Sequence, residues 1–397
     1  MKGPSPQRLW NYASRCLGLK SYFRCPGDGR VQPEIPAHTL LKALLWGRLL
    51  RYHAFLAVER LVRSAARKAL GLSRKFGDDA LGYFTERLLA APLRAALAGV
   101  MQRAKRNKAF DSCRFIGLAV DGTTVGRRRT KGCRLCRPHR NRARQITGYR
   151  HHVVMMAVVG TGLFLPCDIE PYGPGDSEYA AAQRLLRRAR GLLGARFADY
   201  VVVDGEFATA PFLHLAGDLG WRAIARLKDN LPELHRAAQR RFAAQPPHLT
   251  FRDGSDRVEI WDADDFDPWE TLRWETVRVL RYRQHHADGE VVEAFWLTDF
   301  PSRQLSSRSL YYLAKSRWEI ENQGFNDAKN RYGFEHLCHH HPNSLLLVAL
   351  LTALALTIER LYRLRYLHRG THRVRAAADL VFQLWLSLSS PHALDSS

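Results

Sequence analysis

Three acidic side chains occur where carboxylates could hold metal ions. Asp121 follows the apolar run 115–120, Asp204 follows the apolar run 200–203, and a glycine comes directly after each acid. Short β-branched runs bounded by glycine predict buried strands, and open α/β sheets place their chemistry at the carboxyl ends of such strands. An Asp-Gly pair after a strand is also an ordinary turn sequence, so each acid alone leaves both interpretations open.

The third acid, Glu321, lies in the stretch 316–329, which has no proline and one glycine, so we predict a helix there. At about 100° per residue, Arg317 and Glu321 share one face of that helix, and Lys329 lies on the same side. This face is largely apolar, and a carboxylate there costs several kcal/mol unless it is paired or holds a metal. A structural Arg317–Glu321 ion pair is the alternative to a metal ligand.

Taken together, the three acids favour metal chemistry. Carboxylates from three separate segments are what two hard divalent cations, roughly 3.5–4 Å apart, require. In this order and in these contexts, Asp121, Asp204 and Glu321 resemble the DDE triad of bacterial insertion-sequence transposases. The resemblance runs from about residue 75 to residue 360 and is closest to the group named after insertion sequence four.

The hallmark of that group is a Tyr-x2-Arg-x3-Glu-x6-Lys helix, with a large β-rich insertion between the second Asp and the Glu. Arg317 and Glu321 fit this spacing. The sequence departs from it at two positions. The tyrosine position is Ala314, although Tyr311 and Tyr312 lie one turn earlier, and the lysine position is Ala328, with Lys329 one residue late.

The resemblance implies a transposase that cuts and joins DNA by cut-and-paste transposition. It implies that Asp121, Asp204 and Glu321 bind two Mg²⁺ (or Mn²⁺) ions for an in-line displacement, with Arg317 and Lys329 as further catalytic residues contacting phosphate. The partners would be the terminal inverted repeats and target DNA, with a dimer bridging two ends. Cleavage through a hairpin at the transposon end is the expected route.

The charge of the chain supports a nucleic-acid partner. The net charge is +23, from 61 basic and 38 acidic residues, and a field of this strength favours polyanions. A GC-rich genome would explain the excess of Arg over Lys, but it would not explain the excess of basic residues over acidic residues. The stretch 127–150 holds ten Lys or Arg and no acid. We predict a loop that contacts DNA phosphates without reading sequence, against the alternative of a solvated loop. Its candidate DNA-binding residues are Arg127, Arg128, Arg129, Lys131, Arg140, Arg142 and Arg144.

Two further features have both a functional and a structural interpretation. Trp296 either stacks on a flipped base, as an insertion aromatic does in the resembling group, or packs in a strand. The Cys133-x2-Cys136-x2-His139 motif, with His151 and His152 nearby, has thiolate and imidazole groups that could bind zinc. A structural zinc site needs four ligands and no second cysteine pair follows, so a reduced cysteine pair is the alternative. The His run 339–341 after Cys338 is a weaker candidate.

The order of elements predicts an α/β fold with helical N- and C-terminal regions. Three antiparallel strands, a helix and two further strands, together with the resemblance, indicate an RNase H-like mixed sheet carrying a β-rich insertion. The N-terminal region would bind DNA, or would simply form a helical cap. The expected regions are 1–112 (helical), 113–227 (first part of the catalytic core), 228–309 (β-rich insertion), 310–340 (Glu-bearing helix) and 341–397 (helical).

Seven cysteines, an odd number, and a start without an apolar signal region predict a reducing cytoplasm, and the resemblance implies a nucleoid-associated bacterial protein. The longest apolar run, 345–358, is shorter than the ~20 residues of a membrane span, so no membrane partner is expected. Two other functions stay open. They are a catalytically idle, domesticated DNA-binding protein and another RNase H-like nuclease, which would cut without strand transfer.

Overall fold

A mixed β-sheet runs through the computed structural model, which describes residues 4–24, 26–367 and 376–389. Within the described residues the sheet has ten strands. In chain order they are β1 Gly117–Arg128, β2 Arg137–Arg140, β3 Ile146–Val159, β4 Leu165–Tyr172, β5 Tyr200–Val203, β6 Arg222–Leu227, β7 Leu249–Asp253, β8 Asp256–Phe266, β9 Val277–His285 and β10 Val291–Thr298.

The order of strands across the sheet is β2-β3-β1-β5-β6-β10-β9-β8-β7, and β4 also pairs with β3. Strand β3 runs antiparallel to both of its neighbours β1 and β4, whereas β1, β5 and β6 run parallel. This confirms the predicted series of three antiparallel strands, a helix and two further strands. The β-rich stretch after β6 does not form a separate sheet, because β10 pairs antiparallel with β6 and continues the same sheet outward.

Helices precede, interrupt and follow the sheet, and the described residues before β1 and after β10 contain helices and no strand of the sheet. In chain order the helices are α1 Pro6–Asn11, α2 Leu19–Arg24, α3 Ala37–Leu49, α4 Phe55–Arg63, α5 Ala66–Ala69, α6 Asp78–Arg87, α7 Ala90–Arg106, α8 Glu178–Leu193, α9 Ala210–Asp218, α10 Pro232–Ala243, α11 Ser307–Lys315, α12 Asn326–Tyr332, α13 Pro342–Tyr362 and α14 Ala377–Ser389. Short π-helical segments at Tyr12–Cys16, Ile320–Phe325 and Arg363–Leu367 and a 3₁₀ turn at Gly205–Phe207 complete the set.

The strand that carries Asp121 is longer than the sequence predicted. Asp121 and Gly122 form no turn, because they pair in register with Met155 and Val154 of β3. The pairing continues to Arg128, and β2 then pairs with the start of β3. The prediction of a basic loop over 127–150 is therefore wrong. Most of this stretch is a β-ribbon formed by the end of β1, β2 and the start of β3, which we call the basic ribbon (residues 125–150).

The helix predicted over 316–329 is observed for residues 318–329, but residues 316 and 317 form a turn and residues 320–325 are π-helical. Helix α11 ends at Lys315, a turn follows at residues 316 and 317, and the π-helical segment Ile320–Phe325 leads into α12. In this segment the Asn326 N–H donates to the carbonyl of Glu321, five residues back. Such π turns are rare and occur often at functional sites. The side chain of Glu321 is 46% exposed, so it does not lie in the apolar face, as uniform helical spacing predicted.

The longest helix, α13, packs against α3, α6, α7 and β4. Together with its π-helical extension, Pro342–Leu367, it is long and apolar enough to cross a membrane, but 89% of its most apolar window is buried inside the protein. Arg360, also buried, donates to the Asp327 carboxylate and to the carbonyl of Gln323. Helix α13 is therefore a buried core helix, and its Arg360 holds the π-helical segment and the start of α12 in place.

Gly324 is expected to be intolerant of a side chain. A Cβ at this position would lie 2.5 Å from the ring of Phe164, which is completely buried. We expect Gly324→Ala to lower the free energy of unfolding by about 1–3 kcal/mol, the usual cost of overpacking a core. Urea unfolding measures this. The matched control is Gly191→Ala in α8, where a Cβ meets nothing within 4 Å. We expect this control to stabilise the protein by about 0.5–1 kcal/mol, and equal effects of the two changes would contradict the packing argument.

Candidate active site

Two of the predicted acids are neighbours on parallel strands. The register pairs Gly117 with Tyr200 and Ala119 with Val202. Asp121 lies two residues beyond Ala119, and Asp204 lies two residues beyond Val202, so both reach the same level of the sheet. Asp204 comes directly after the end of β5, as the sequence predicted. Asp121 reaches this level from inside a strand, because β1 continues past the end of its parallel neighbour.

Arg317 joins Glu321 to this pair. Its Nη1 atom lies 2.8 Å from Oε1 of Glu321 and 3.6 Å from Oδ2 of Asp121. The same guanidinium is close enough to Asp204 to lower the pKa of that carboxyl. The side chain of Arg317 is only 8% exposed, so this cation is held inside the protein between carboxylates. The structure thus brings Asp121, Glu321 and Arg317 together, and it places Asp204 beside Asp121 at the same level of the sheet.

Asp121 lies in an environment that disfavours its charge. Burial raises its pKa to about 7, and Arg317 and the N–H of Gly122 oppose this shift only in part. The carboxylates of Glu321 and Glu178 raise the pKa further. Glu178, at the start of α8, accepts a hydrogen bond from the Tyr172 hydroxyl, and its carboxyl group lies over Gly122, where a Cβ would come within 2.2 Å of it. A cation bound beside Asp121 would relieve this crowding of negative charge.

Asp204 has a cationic partner of its own. Although burial opposes the effect, a hydrogen bond from Lys228 holds the pKa of Asp204 below its usual value, helped by the N–H of Gly205 and the charge of Arg317. The Lys228 ammonium lies 2.9 Å from the carboxylate. Lys228 was not among the residues predicted from the sequence, although its position carries a signal. It follows β6, the next parallel strand, and therefore lies at the same edge of the sheet as Asp204.

The donor set fits hard divalent ions. The groups that converge are carboxylate oxygens from β1, from the end of β5 and from the π-helical segment, and Mg²⁺ and Mn²⁺ prefer such oxygens. The carboxylates already accommodate a buried cation, the guanidinium of Arg317. Metal ions and the basic side chains of Arg317 and Lys228 would compete for the same oxygens.

The remaining residues of the predicted signature have other partners or lack the chemistry that the signature requires. Lys329 forms an ion pair with Glu335, at 3.4 Å. Ala314, at the tyrosine position, is completely buried. Tyr311, one turn earlier, is buried and donates its hydroxyl to Asp253. The catalytic role of Lys329 stays a prediction.

Trp296 is completely buried in β10. Its ring meets that of Trp318 edge-on, with 5.8 Å between the ring centroids, and the Arg226 guanidinium lies 5.4 Å from its centroid. No face of the indole is open to a base in this conformation, so the structure agrees with the packing interpretation. Base stacking on Trp296 would require these neighbours to move.

The predicted DNA-binding residues of the basic ribbon are all exposed, as expected for phosphate contacts. Two of them also make contacts within the chain. Arg140 donates to the carbonyl of Arg144, and Arg128 lies 2.5 Å from Nδ1 of His340. The exposed set is Arg127, Arg128, Arg129, Lys131, Arg140, Arg142 and Arg144.

Of the histidines that the sequence suggested for the cysteine motif, His151 lies beside the cysteines, and His340 takes the place of His139 and His152. The ligand atoms of Cys133, Cys136, His151 and His340 all lie within 4.8 Å of one another. His139 instead contacts the hydroxyl of Thr147 at 3.0 Å. The His run 339–341 is a separate and weaker candidate in the sequence. Nothing in the sequence around it indicates that it contacts residues 133–136.

Comparison with known proteins adds the following. The family model described as "Transposase DDE domain" matches residues 114–358. Among solved structures, the cryo-EM structure of the piggyBac transposase synaptic complex with hairpin DNA is similar to this chain with a TM-score of 0.47 and 10% sequence identity. That similarity covers 98% of this chain and 81% of that chain. No curated protein matches the sequence.

Proposed function

Because the chain belongs to the transposase DDE domain family, we propose that it carries out cut-and-paste transposition of a bacterial insertion sequence of the group named after insertion sequence four. The observation that carries the proposal is the contact of Asp121 and Glu321 with the buried guanidinium of Arg317, with Asp204 beside Asp121 at the same level of the sheet. Carboxylates from three distant parts of the chain form the acidic site that this chemistry needs.

The proposed core is RNase H-like. The strand order β4-β3-β1-β5-β6 supports this, with the first three strands antiparallel and the last two parallel to β1. In this arrangement the central strand β1 supplies Asp121, and its parallel neighbour β5 leads directly into Asp204. The π-helical segment, which packs on β1 and β3, supplies Glu321.

Asp121, Asp204 and Glu321 would hold two divalent ions, Mg²⁺ or Mn²⁺, which supply activation of water or of a 3′-hydroxyl and stabilisation of the leaving oxygen. Arg317 and Lys228 are the basic side chains that metal loading would free. A phosphate diester that enters the site would then be the new anionic partner of Arg317 and Lys228. The guanidinium of Arg317 can hold two phosphate oxygens with two parallel hydrogen bonds. Lys329, on the following helix, would contact phosphate from the flank.

The basic ribbon would hold the DNA that enters this site. It begins on β1, the strand that carries Asp121. Its exposed Lys and Arg side chains can neutralise phosphates without distinguishing one DNA sequence from another. Recognition of the terminal inverted repeats is assigned to the helical N-terminal region, residues 1–112. Synapsis of two transposon ends would use a dimer on DNA, in the bacterial cytoplasm at the nucleoid.

The test is a cleavage reaction with the purified protein, Mg²⁺ and DNA carrying the inverted repeats that flank its gene. We expect cuts at the repeat ends and joining of 3′ ends to target DNA, mapped on both strands, and no product when EDTA replaces Mg²⁺. End binding without Mg²⁺-dependent nicking would instead indicate a catalytically idle DNA-binding protein. Cutting without strand transfer and without preference for these ends would indicate another RNase H-like nuclease. Either result would refute the proposal.

A further inference from the structure

We infer that Cys133, Cys136, His151 and His340 form a structural zinc site that fastens the basic ribbon to the segment between α12 and α13. The inference is independent of the transposase chemistry, because it concerns sulfur and nitrogen donors and not the carboxylates of the active site. The four residues come from three separated parts of the chain: the turn before β2, strand β3 and the segment after α12.

Five of the six distances between the donor atoms fit a tetrahedral zinc ion, and the sixth, between Cys133 and His340, lies within 4.8 Å. Zinc bonds of about 2.3 Å to sulfur and about 2.0 Å to nitrogen place two sulfurs about 3.8 Å apart, sulfur and nitrogen about 3.6 Å apart, and two nitrogens about 3.3 Å apart. The two Sγ atoms are 3.9 Å apart, and the Nε2 atoms of His151 and His340 are 3.2 Å apart. Sulfur to nitrogen distances are 3.2 Å for Cys133–His151, 3.4 Å for Cys136–His151 and 3.3 Å for Cys136–His340.

The chemistry of the donors favours a zinc site over a disulfide bond and over a site for a hard metal ion. A disulfide between Cys133 and Cys136 would bring the sulfurs to about 2.05 Å, well below the 3.9 Å observed. Hard ions such as Mg²⁺ prefer oxygen, whereas two thiolates and two imidazoles suit zinc. Four protein ligands leave no position open for substrate, so the site is structural and not catalytic.

The backbone around the cysteines is shaped to bring the fourth ligand in. A Cβ on Gly132 would lie 2.3 Å from the ring of His340, so only glycine lets this imidazole approach. The Gly132 N–H points at Sγ of Cys136 at 3.5 Å, and the Cys136 N–H donates to the carbonyl of Cys133, which closes the turn. Nearby, Gly126 makes similar room for Leu337, where a Cβ would come within 2.4 Å. The segment that carries His340 therefore rests on the ribbon through two glycines.

Binding of zinc would also change the position of Arg128. In the present arrangement Nδ1 of His340 faces the Arg128 guanidinium, at 2.5 Å, and must accept a hydrogen bond from it. Ligation through Nε2 leaves the imidazole proton on Nδ1, which then cannot accept. The exposed Arg128 side chain must therefore move away from His340 when zinc binds. Its guanidinium would then be available to solvent or to a DNA phosphate.

The test is the zinc content of the full chain, measured by mass spectrometry of the metal after purification and Zn²⁺ reconstitution under reducing conditions. We expect one zinc per chain. Replacement by Co²⁺ should give the visible bands of tetrahedral cobalt and a thiolate-to-metal charge-transfer band in the near ultraviolet. Cys136→Ser and His340→Ala should each weaken Zn²⁺ binding by more than about 100-fold, since even outer partners of a metal ligand cost about 10–100-fold.

His139→Ala is the matched control, because His139 belongs to the same motif but lies outside the cluster. We expect this variant to keep one zinc with unchanged affinity. Absence of zinc from the reconstituted wild-type chain, a cobalt spectrum without thiolate ligation, or full zinc binding by the Cys136→Ser or His340→Ala variant would overturn the inference. None of these measurements depends on DNA cleavage, so the site and the proposed function can fail separately.

Discussion

Asp121→Asn and Glu321→Gln are each expected to stop DNA cleavage while leaving binding of the transposon ends intact. Both changes keep the size and shape of the side chain and remove one negative charge from the group that would hold the metal ions. The loss in cleavage rate should exceed roughly 100-fold, since residues that only support a metal ligand already cost about 10–100-fold. A single-turnover cleavage assay measures the rate, and a gel-shift assay in EDTA measures binding.

Asp218→Asn is the control for charge alone, because Asp218 is an exposed acid at the end of α9. This variant should cut DNA at the wild-type rate. Folding of the Asp121→Asn variant should be preserved, since burial already disfavours the charged form of Asp121 and a neutral amide fits the same space. Strand cutting at the wild-type rate by either active-site variant would remove that residue from the catalytic set.

Removal of three charges from the basic ribbon is expected to change the salt dependence of DNA binding. The variant carries Gln at Arg129, Lys131 and Arg142, all exposed. If each contacts one phosphate, the slope of log K against log salt should fall by about 0.9 per residue, or about 2.7 in all. Between 50 and 200 mM salt, the wild-type affinity should then drop about 40-fold more than that of the variant. Fluorescence anisotropy with a labelled duplex at several salt concentrations provides the measurement.

A second triple variant, with Gln at Arg187, Arg196 and Arg240, separates contact from overall charge. These three residues are also exposed, and their removal lowers the net charge by the same amount. They lie on α8, after α8 and on α10, outside the ribbon. We expect their slope to stay near the wild-type value. Equal slopes for the two triple variants would show that the ribbon acts only through the total charge, and that it makes no phosphate contacts.

The parts of the site that local patterns encode could be predicted from sequence. Asp121 and Asp204 were found because each follows an apolar run, and the parallel pairing of β1 with β5 then brings them to one level. The ion pair of Arg317 with Glu321 followed from their spacing of four residues, which survives the turn between α11 and the π-helical segment. In these cases the relevant contact depends on the strand period or on one helical turn.

The parts that could not be predicted depend on long-range contacts. Lys228 becomes a partner of Asp204 only because β6 pairs beside β5. Glu178 faces Gly122 only because α8 returns across the sheet. His340 joins Cys133 and Cys136 across about half of the chain. Each of these residues has a neighbour that is fixed by the tertiary fold and by no pattern in its own segment.

The π-helical segment Ile320–Phe325 also changes the position of Lys329 around the helix axis. The bond from Asn326 to Glu321 spans five residues where an α-helix spans four, so this turn contains one additional residue. Seven residues of a regular α-helix complete almost two turns. With the wide turn included, eight residues are needed for the same rotation. Lys329, the eighth residue after Glu321, therefore has the angular position that Ala328 would have in a regular helix, while Ala328 itself is buried. The wider turn therefore acts as a one-residue insertion between Glu321 and Lys329.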